Sequence, residues 1–158
     1  MIHANEKGFT LLEMMLIVFL IGVLSAIAVP RLEPLFSRNK LRGSTSSVTS
    51  TLYLARMKAI NEGANHGVEF FADGTFDIVR DPLGSPEVIG VSYQLDEGIS
   101  FAEVSFVNWL AVFNEQGQID QNCLFEGETM GVIRITDGAA DTTRVEITMI
   151  SGRIKEYN

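Results

Sequence analysis

The sequence has little of the chemistry from which catalytic and metal sites are built. Among its 158 residues, Cys123 is the single cysteine, which excludes an internal disulfide and a cysteine-based zinc site. Two histidines, His3 and His66, leave little material for a histidine-rich metal centre. No Gly-x-Ser-x-Gly motif is present, and no histidine is a convincing partner for the cysteine. We therefore expect a protein that is not an enzyme and has no cofactor and no metal site.

Positive charge is also scarce, and it is unevenly distributed. The chain has 12 Lys+Arg against 20 Asp+Glu, a net charge of −8. Residues 31–62 carry a net charge of +4, whereas residues 63–158 hold 16 acids and 5 bases. The length fits one domain with an appended element, and the acidic balance argues against a general nucleic-acid surface.

A long apolar run stands near the start of the chain. Between residues 9 and 29 only Thr10, Glu13 and Ser25 are polar. A helix of that length spans roughly 31 Å, close to the ~30 Å hydrocarbon core of a bilayer. The run predicts a transmembrane helix over residues 9–29. A secretory signal peptide cleaved after Ala28 is the alternative, but Glu13 stands where its apolar region would begin.

The residues before the run carry a specific motif. The segment 7–13, Lys-Gly-Phe-Thr-Leu-Leu-Glu, resembles the class III signal of type IV prepilins and type II secretion pseudopilins. The resemblance implies a leader over residues 1–8, cut after Gly8 by a prepilin peptidase, and N-methylation of the new terminus at Phe9. It also implies an assembly role for Glu13, which pairs with the terminal amine of a neighbouring subunit, and a helix kink at Pro30.

Glu13 also has a simpler interpretation. The spacing from Thr10 to Glu13 is that of a capping box, and a carboxylate is favoured near a helix N-terminus. The two roles are compatible. A glutamate within an apolar span is costly, which favours a functional role beside the structural one.

The charge distribution and the family resemblance predict opposite membrane topologies. The flank after the apolar run is more basic than the leader, and the positive-inside rule would place it in the cytoplasm. The resemblance places the leader in the cytoplasm instead. We follow the resemblance and expect a single-pass protein of the bacterial inner membrane with its C-terminal domain in the periplasm.

Residues 30–63 are predicted to form a connector and an amphipathic helix. Pro30 and Pro34 should bend or interrupt the first helix, and residues 43–47 form a weak, polar stretch. Helix then resumes, because apolar residues recur on one face: Val48, Leu52, Ala55 and Ala59. Gly63 is the predicted stop.

Residues 64–158 are predicted to form a β-rich periplasmic domain. Asp73-Gly74 between two apolar runs is a strong hairpin signal. The predicted strands cover 68–71, 75–79, 88–95, 99–107, 109–113, 130–136, 143–150 and 153–157. The fold class is therefore α+β: a pilin-like fold with a long N-terminal helix and a mostly antiparallel body of one or two sheets.

Three short segments of the body carry a further resemblance. Residues 54–61, 111–117 and 150–154 are similar to segments of the GspH/FimT family, whose members are minor pseudopilins and minor pilins. The cysteine pair of other pilin branches is missing. The resemblance implies a subunit of the type II secretion pseudopilus, which helps to move folded proteins across the outer membrane. The implied partners are other major and minor pseudopilins, the prepilin peptidase, the inner-membrane assembly platform, membrane lipid and secreted cargo.

Two other functions stay open at this point. A type IV minor pilin could bind DNA during uptake through a basic patch of Arg144, Arg153 and Lys155, although Glu146 and Glu156 interrupt that patch. A secreted β-domain released by signal peptidase is the other alternative.

Three isolated features have ordinary interpretations. Cys123 beside apolar residues is expected to be a quiet core or strand residue. His66 is expected in a loop, where a single histidine makes no metal site. Asp137 and Asp141 lie in a predicted hairpin turn that lacks EF-hand spacing, so calcium is the weaker alternative there.

Overall fold

The structure is a computed structural model that describes residues 9–139 and 141–157, without the side chains of residues 28–34. The chain divides into two compact units, of which the first ends at Phe36 and the second begins at Ser37. One α-helix, α1, covers Leu11–Glu62, so it supplies most of the first unit and the start of the second.

The helix is longer than the sequence predicts. The interruption predicted at residues 43–47 is wrong, because α1 includes all of them. Tertiary contacts outweigh the low helix propensity of the polar stretch. The Ser44 hydroxyl donates to Asp96 Oδ2 at 3.1 Å and accepts from the Asp96 backbone N–H at 3.0 Å. The Thr45 hydroxyl bonds within the helix, to the Leu41 carbonyl oxygen at 2.8 Å. Residues 30 and 34 are also helical, so neither proline ends α1, and the kink at Pro30 stays a prediction.

The second unit buries one face of α1. The four predicted face residues, Val48, Leu52, Ala55 and Ala59, are fully buried, which confirms the helical period. Burying an aliphatic side chain of the size of valine or leucine contributes about 1.5–3 kcal/mol. The helix ends at Glu62, and Gly63 adopts a positive φ of 58° in the predicted stop position.

The body consists of two four-stranded antiparallel sheets. The first has the order β3 (Glu87–Gln94), β2 (Thr75–Arg80), β1 (His66–Phe70) and β5 (Leu110–Phe113). The second has the order β4 (Ser100–Val104), β6 (Met130–Thr136), β7 (Thr142–Thr148) and β8 (Ile154–Tyr157). Single-turn 3-10 helices cover Val107–Trp109 and Gln121–Cys123. The α+β prediction with antiparallel sheets is confirmed.

One predicted strand is too long. Residues 99–107 were expected to form a single strand, but β4 ends at Val104. The ladder between β4 and β6 is irregular between Phe101 and Glu103, and Asn108 adopts a left-handed φ of 55°. The chain therefore leaves the second sheet after β4 and enters the first sheet at β5.

Aromatic rings connect the two sheets inside the core. Phe70, Phe76 and Tyr93 come from the first sheet, and Phe101 comes from the second. The Phe101 ring packs edge-on against Phe70, with 5.3 Å between the ring centroids, and also contacts the Trp109 ring. Such pairs add about 0.5–1.5 kcal/mol beyond the area they bury, so they help to fix one sheet against the other.

Candidate processing and assembly site

The start of α1 carries the residues of the predicted processing motif. Because α1 begins at Leu11, Thr10 is its N-cap residue. The Thr10 hydroxyl accepts a hydrogen bond from the backbone N–H of Glu13 at 3.2 Å, which is one half of a capping box. Glu13 lies in the first helical turn, where the helix dipole favours negative charge. Its side chain is exposed and thus available to a cation from outside the chain.

Phe9 precedes the helix and is 73% exposed. Gly8 and the rest of the predicted leader, residues 1–8, lie outside the described residues. Cleavage after Gly8, methylation of Phe9 and pairing of Glu13 with a neighbour stay predictions that the geometry of this single chain does not test.

Large apolar side chains are exposed along the described start of the chain, from Phe9 to Ile27. Large hydrophobic residues from Phe9 to Ile27 are between 39% and 79% exposed. An exposed apolar surface of this extent marks a contact with lipid or with other protein.

The predicted transmembrane helix, residues 9–29, covers this exposed apolar stretch. Among residues 9–139 and 141–157, no helix meets the requirement of length and hydropathy for crossing a membrane.

The predicted basic patch is partly brought together. Arg144 and Lys155 lie on the adjacent strands β7 and β8, and Arg153 lies in the turn that precedes β8. Arg144 Nη2 is 2.8 Å from Glu146 Oε1, and Glu146 lies directly opposite Lys155 in the sheet. A carboxylate therefore stands between two of the three bases, which weakens the field that they present to a phosphate backbone.

The loop at residues 137–141 uses its carboxylates within the fold. The Ser37 hydroxyl donates to Asp137 Oδ2 at 2.7 Å, and Arg38 Nε donates to Asp141 Oδ2 at 2.7 Å. The loop thereby holds the first residues of the second unit. In the part of the chain that the structure describes, no group of three or more His, Cys, Asp or Glu residues is placed to bind a metal ion.

His66 is not in a loop, so that prediction is wrong. It is the first residue of β1, is fully buried, and pairs with Arg80 on one side and Phe113 on the other. Its Nδ1 is 3.0 Å from the Ala64 carbonyl oxygen, and its Nε2 is 3.3 Å from Glu62 Oε2. The neighbouring Gly67 made the segment resemble a turn, but pairing on both sides extends the strand to His66.

Cys123 is a buried core residue, as predicted. It ends the second 3-10 helix and is 2% exposed. Burial raises the pKa of its thiol to about 11, and the nearby Asp120 carboxylate contributes in the same direction. A thiol with so high a pKa is almost entirely protonated at neutral pH and is a poor nucleophile.

The sequence did not predict the junction around Arg56, at which α1 contacts two turns of the body. Its Nε donates to the Gly117 carbonyl oxygen at 2.8 Å, and its Nη2 donates to the Ser151 carbonyl oxygen at 2.9 Å. Gly152 has a φ of 56°, and a Cβ there would lie 1.9 Å from the Gly117 oxygen. The three segments that resemble the GspH/FimT family meet at this point, which gives a physical reason for their residue types.

Comparisons with known proteins agree with this geometry. Residues 3–29 match the prokaryotic N-terminal methylation motif. The chain is 43% identical over 58 residues to a fimbrial protein of Pseudomonas aeruginosa, and the match spans 37% of each chain. It is 35% identical over 70 residues to the pilin-like protein PilA1 of Thermus thermophilus, or 44% of each chain. The chain thus matches less than half the length of these curated relatives.

Solved structures match over most of the chain. The minor pseudopilin EpsH from the type 2 secretion system of Vibrio cholerae superimposes with a TM-score of 0.58 at 14% identity, covering 75% of this chain and 96% of EpsH. The type IV minor pilin FimU of Pseudomonas aeruginosa superimposes with a TM-score of 0.57 at 14% identity, covering 77% of this chain and 90% of FimU.

The chain thus combines an N-terminal methylation motif with a fold similar to those of a minor pseudopilin and a minor pilin. The two structural matches, to EpsH and to FimU, are equally good, with TM-scores of 0.58 and 0.57.

Proposed function

We propose that the chain is a minor pseudopilin, a structural subunit of a type II secretion pseudopilus that helps to move folded proteins across the outer membrane. The observation that carries the proposal is the coincidence of a methylation motif at residues 3–29 with a pilin-like body in one chain. The subunit catalyses no reaction in this proposal. Its function is to occupy a place in a filament.

Processing and assembly follow from the motif residues. A prepilin peptidase cuts after Gly8 and methylates the new terminus at Phe9. The resulting ammonium of a neighbouring subunit pairs with Glu13, which sets the axial position of one subunit against the next. An ion pair between helices in apolar surroundings is strongly position-dependent, because either charge left alone there is costly.

The proposed location is the inner membrane before assembly. Residues 9–29 anchor the chain in a single pass, and the β-rich body lies in the periplasm. The apolar composition of residues 9–29 and the exposure of their described side chains support this part of the proposal. In the filament, the same side chains contact the helices of other pseudopilins. The assembly platform and the secreted cargo are the remaining proposed partners.

A type IV minor pilin is the second candidate, because FimU matches as well as EpsH. In that case the chain joins a pilus, and the patch of Arg144, Arg153 and Lys155 binds DNA during uptake. The patch is interrupted by Glu146, and the body around it carries a net charge of −11. We therefore rank this candidate below the pseudopilin.

Deleting the gene in the host bacterium separates the two candidates. The first predicts that an enzyme normally secreted in folded form accumulates in the periplasm, while surface pili and DNA uptake stay at wild-type levels. The second predicts the reverse. Complementation with the wild-type gene must restore the lost activity, and a deletion that changes neither process contradicts both candidates.

A further inference from the structure

The ring of His66 lies between two oxygen atoms that can only accept hydrogen bonds. Its Nδ1 is 3.0 Å from the Ala64 carbonyl oxygen, and its Nε2 is 3.3 Å from Oε2 of Glu62. The side chain is fully buried, and Nε2 has no aligned hydrogen bond to any described residue. Because the ring is closed off from bulk water, these two oxygens decide which protonation state it adopts.

Neither neutral form of the His66 ring suits both oxygens. A neutral imidazole carries one N–H and one bare nitrogen lone pair. If the proton is on Nδ1, the lone pair of Nε2 faces a carboxylate, and if the proton is on Nε2, the lone pair of Nδ1 faces a carbonyl oxygen. The doubly protonated imidazolium ring instead directs one N–H toward each oxygen, and its charge is opposite to that of the Glu62 carboxylate.

The end of α1 favours a positive charge at this position. The helix ends at Glu62, and its last turn, which the structure fully describes, holds no basic residue of its own. A positive charge beside the C-terminus of a helix is stabilised by the helix dipole. Burial of a charged ring is costly, and the carboxylate at 3.3 Å together with the helix end offsets that cost.

The other charged side chains around the ring keep Glu62 ionised. Lys58 Nζ is 3.6 Å from Glu62 Oε1, and Nε of Arg80, which lies opposite the ring on β2, is 3.8 Å from Glu62 Oε2. Glu87 on β3 lies opposite Arg80, and the residue opposite the ring on β5 is the apolar Phe113. The Arg80 side chain is 51% exposed, so solvent screens its repulsion of a charged ring. The proton therefore resides on the ring and not on the carboxylate.

We propose that the folded protein holds His66 as an imidazolium and that this proton fastens the end of α1 to the first sheet. We call the charged ring of His66 and the carboxylate of Glu62 the proton latch. The ring also donates to the Ala64 carbonyl oxygen, so the latch holds the connection between α1 and β1 as well. When the ring loses its proton, a nitrogen lone pair faces an oxygen and the latch weakens.

The proton latch makes stability depend on pH in one direction. A histidine that holds its proton more firmly in the folded than in the unfolded chain stabilises the fold at low pH. That stabilisation is complete below about pH 6.5, where an unperturbed histidine is also protonated, and it is lost as the pH rises and the folded chain releases the proton. The latch goes beyond the proposed function, because it requires neither processing nor assembly.

Nuclear magnetic resonance of the ring nitrogens tests the charge state of the latch. The full-length chain is prepared in detergent micelles with isotope-labelled histidine and the substitution His3→Gln, so that His66 is its one histidine. At about pH 7.5, roughly one unit above the value at which an unperturbed histidine is half protonated, we expect both ring nitrogens to carry protons. A neutral ring in this spectrum would overturn the proposal.

The variant Glu62→Gln separates the latch from other effects of pH. The glutamine amide can donate to an unprotonated Nε2, so this variant does not need the second ring proton. Urea unfolding of the full-length protein in detergent is measured at about pH 5.5 and about pH 8.5, on either side of the ordinary histidine titration. Between these two values, the unfolding equilibrium constant of the wild type should rise at least about tenfold more than that of Glu62→Gln.

Glu87→Gln is the matched control for the latch. It removes one carboxylate from β3, two strands away from His66, and its stability should follow pH as that of the wild type does. In the spectrum at about pH 7.5, Glu62→Gln should show the neutral ring with its proton on Nδ1, whereas Glu87→Gln should show the charged ring. The same pH dependence in the wild type and in Glu62→Gln, or an equal loss of pH dependence in the control, would contradict the proposal.

Discussion

Glu13 has one observed contact and one proposed contact, and the two use different atoms. Its backbone N–H donates to Thr10 and so belongs to the helix cap, whereas its carboxylate is the proposed partner of a neighbouring Phe9 amine. A substitution that removes the side chain alone leaves the backbone contact in place. The two roles can thus be separated by changing Thr10 in one variant and Glu13 in another.

We predict that Glu13→Gln reduces incorporation into filaments by at least about tenfold, since leaving one charge of a buried ion pair without its partner costs roughly 3–5 kcal/mol. The measurement is an immunoblot of sheared filaments against total membranes. Thr10→Ala is the matched control: it removes the cap at a cost of about 1 kcal/mol and should leave incorporation near the wild-type level. Equal losses in the two variants would show that capping, and not pairing, is the role of Glu13.

Among the structural elements, the junction around Arg56 shows what short sequence motifs encode. The helix supplies the guanidinium, and two turns from different sheets supply the carbonyl oxygens of Gly117 and Ser151. Tyr53, one turn earlier on α1, donates its hydroxyl to the Ile154 carbonyl oxygen at 3.1 Å. One face of the helix therefore holds both sheets at their turns, and Gly152 lets those turns approach closely.

We predict that Gly152→Ala destabilises the protein by about 2–5 kcal/mol, because a left-handed alanine costs roughly 1–2 kcal/mol and the Cβ also displaces the Gly117 backbone. Gly138→Ala is the matched control. Gly138 also has a positive φ, of 74°, but no atom of the described residues lies within 4 Å of the added Cβ. It should therefore lose only the roughly 1–2 kcal/mol of backbone strain.

Urea unfolding of the full-length protein in detergent, followed by near-ultraviolet circular dichroism, measures both glycine variants. Similar midpoints for Gly152→Ala and Gly138→Ala would contradict the close approach of the two turns.

Elements that are determined by residues close in sequence were predicted well. The errors concern residues whose hydrogen-bond or strand partners lie far along the chain. The hairpin at Asp73-Gly74 was predicted from two residues, and Asp73 Oδ1 indeed accepts from the Thr75 backbone and hydroxyl. Residues 43–47 were predicted to interrupt the helix because Asp96, the hydrogen-bond partner of Ser44, is far along the chain. His66 was misplaced for the same reason, since Phe113 completes its pairing.

At the scale of the whole molecule, the sheet order was beyond prediction from the sequence. β4 and β5 are consecutive in the chain but belong to different sheets, and β4 pairs instead with β6. The candidate processing residues were predictable because they form one continuous motif, whereas the junction around Arg56 exists only in the folded body.

The central claim is that the chain is processed and assembled as a prepilin. The most direct test is the intact mass of the protein extracted from membranes of its host, together with sequencing of its N-terminus. The account predicts a mature chain that begins at N-methylated Phe9. A chain that begins at Val29 or still at Met1 would contradict it.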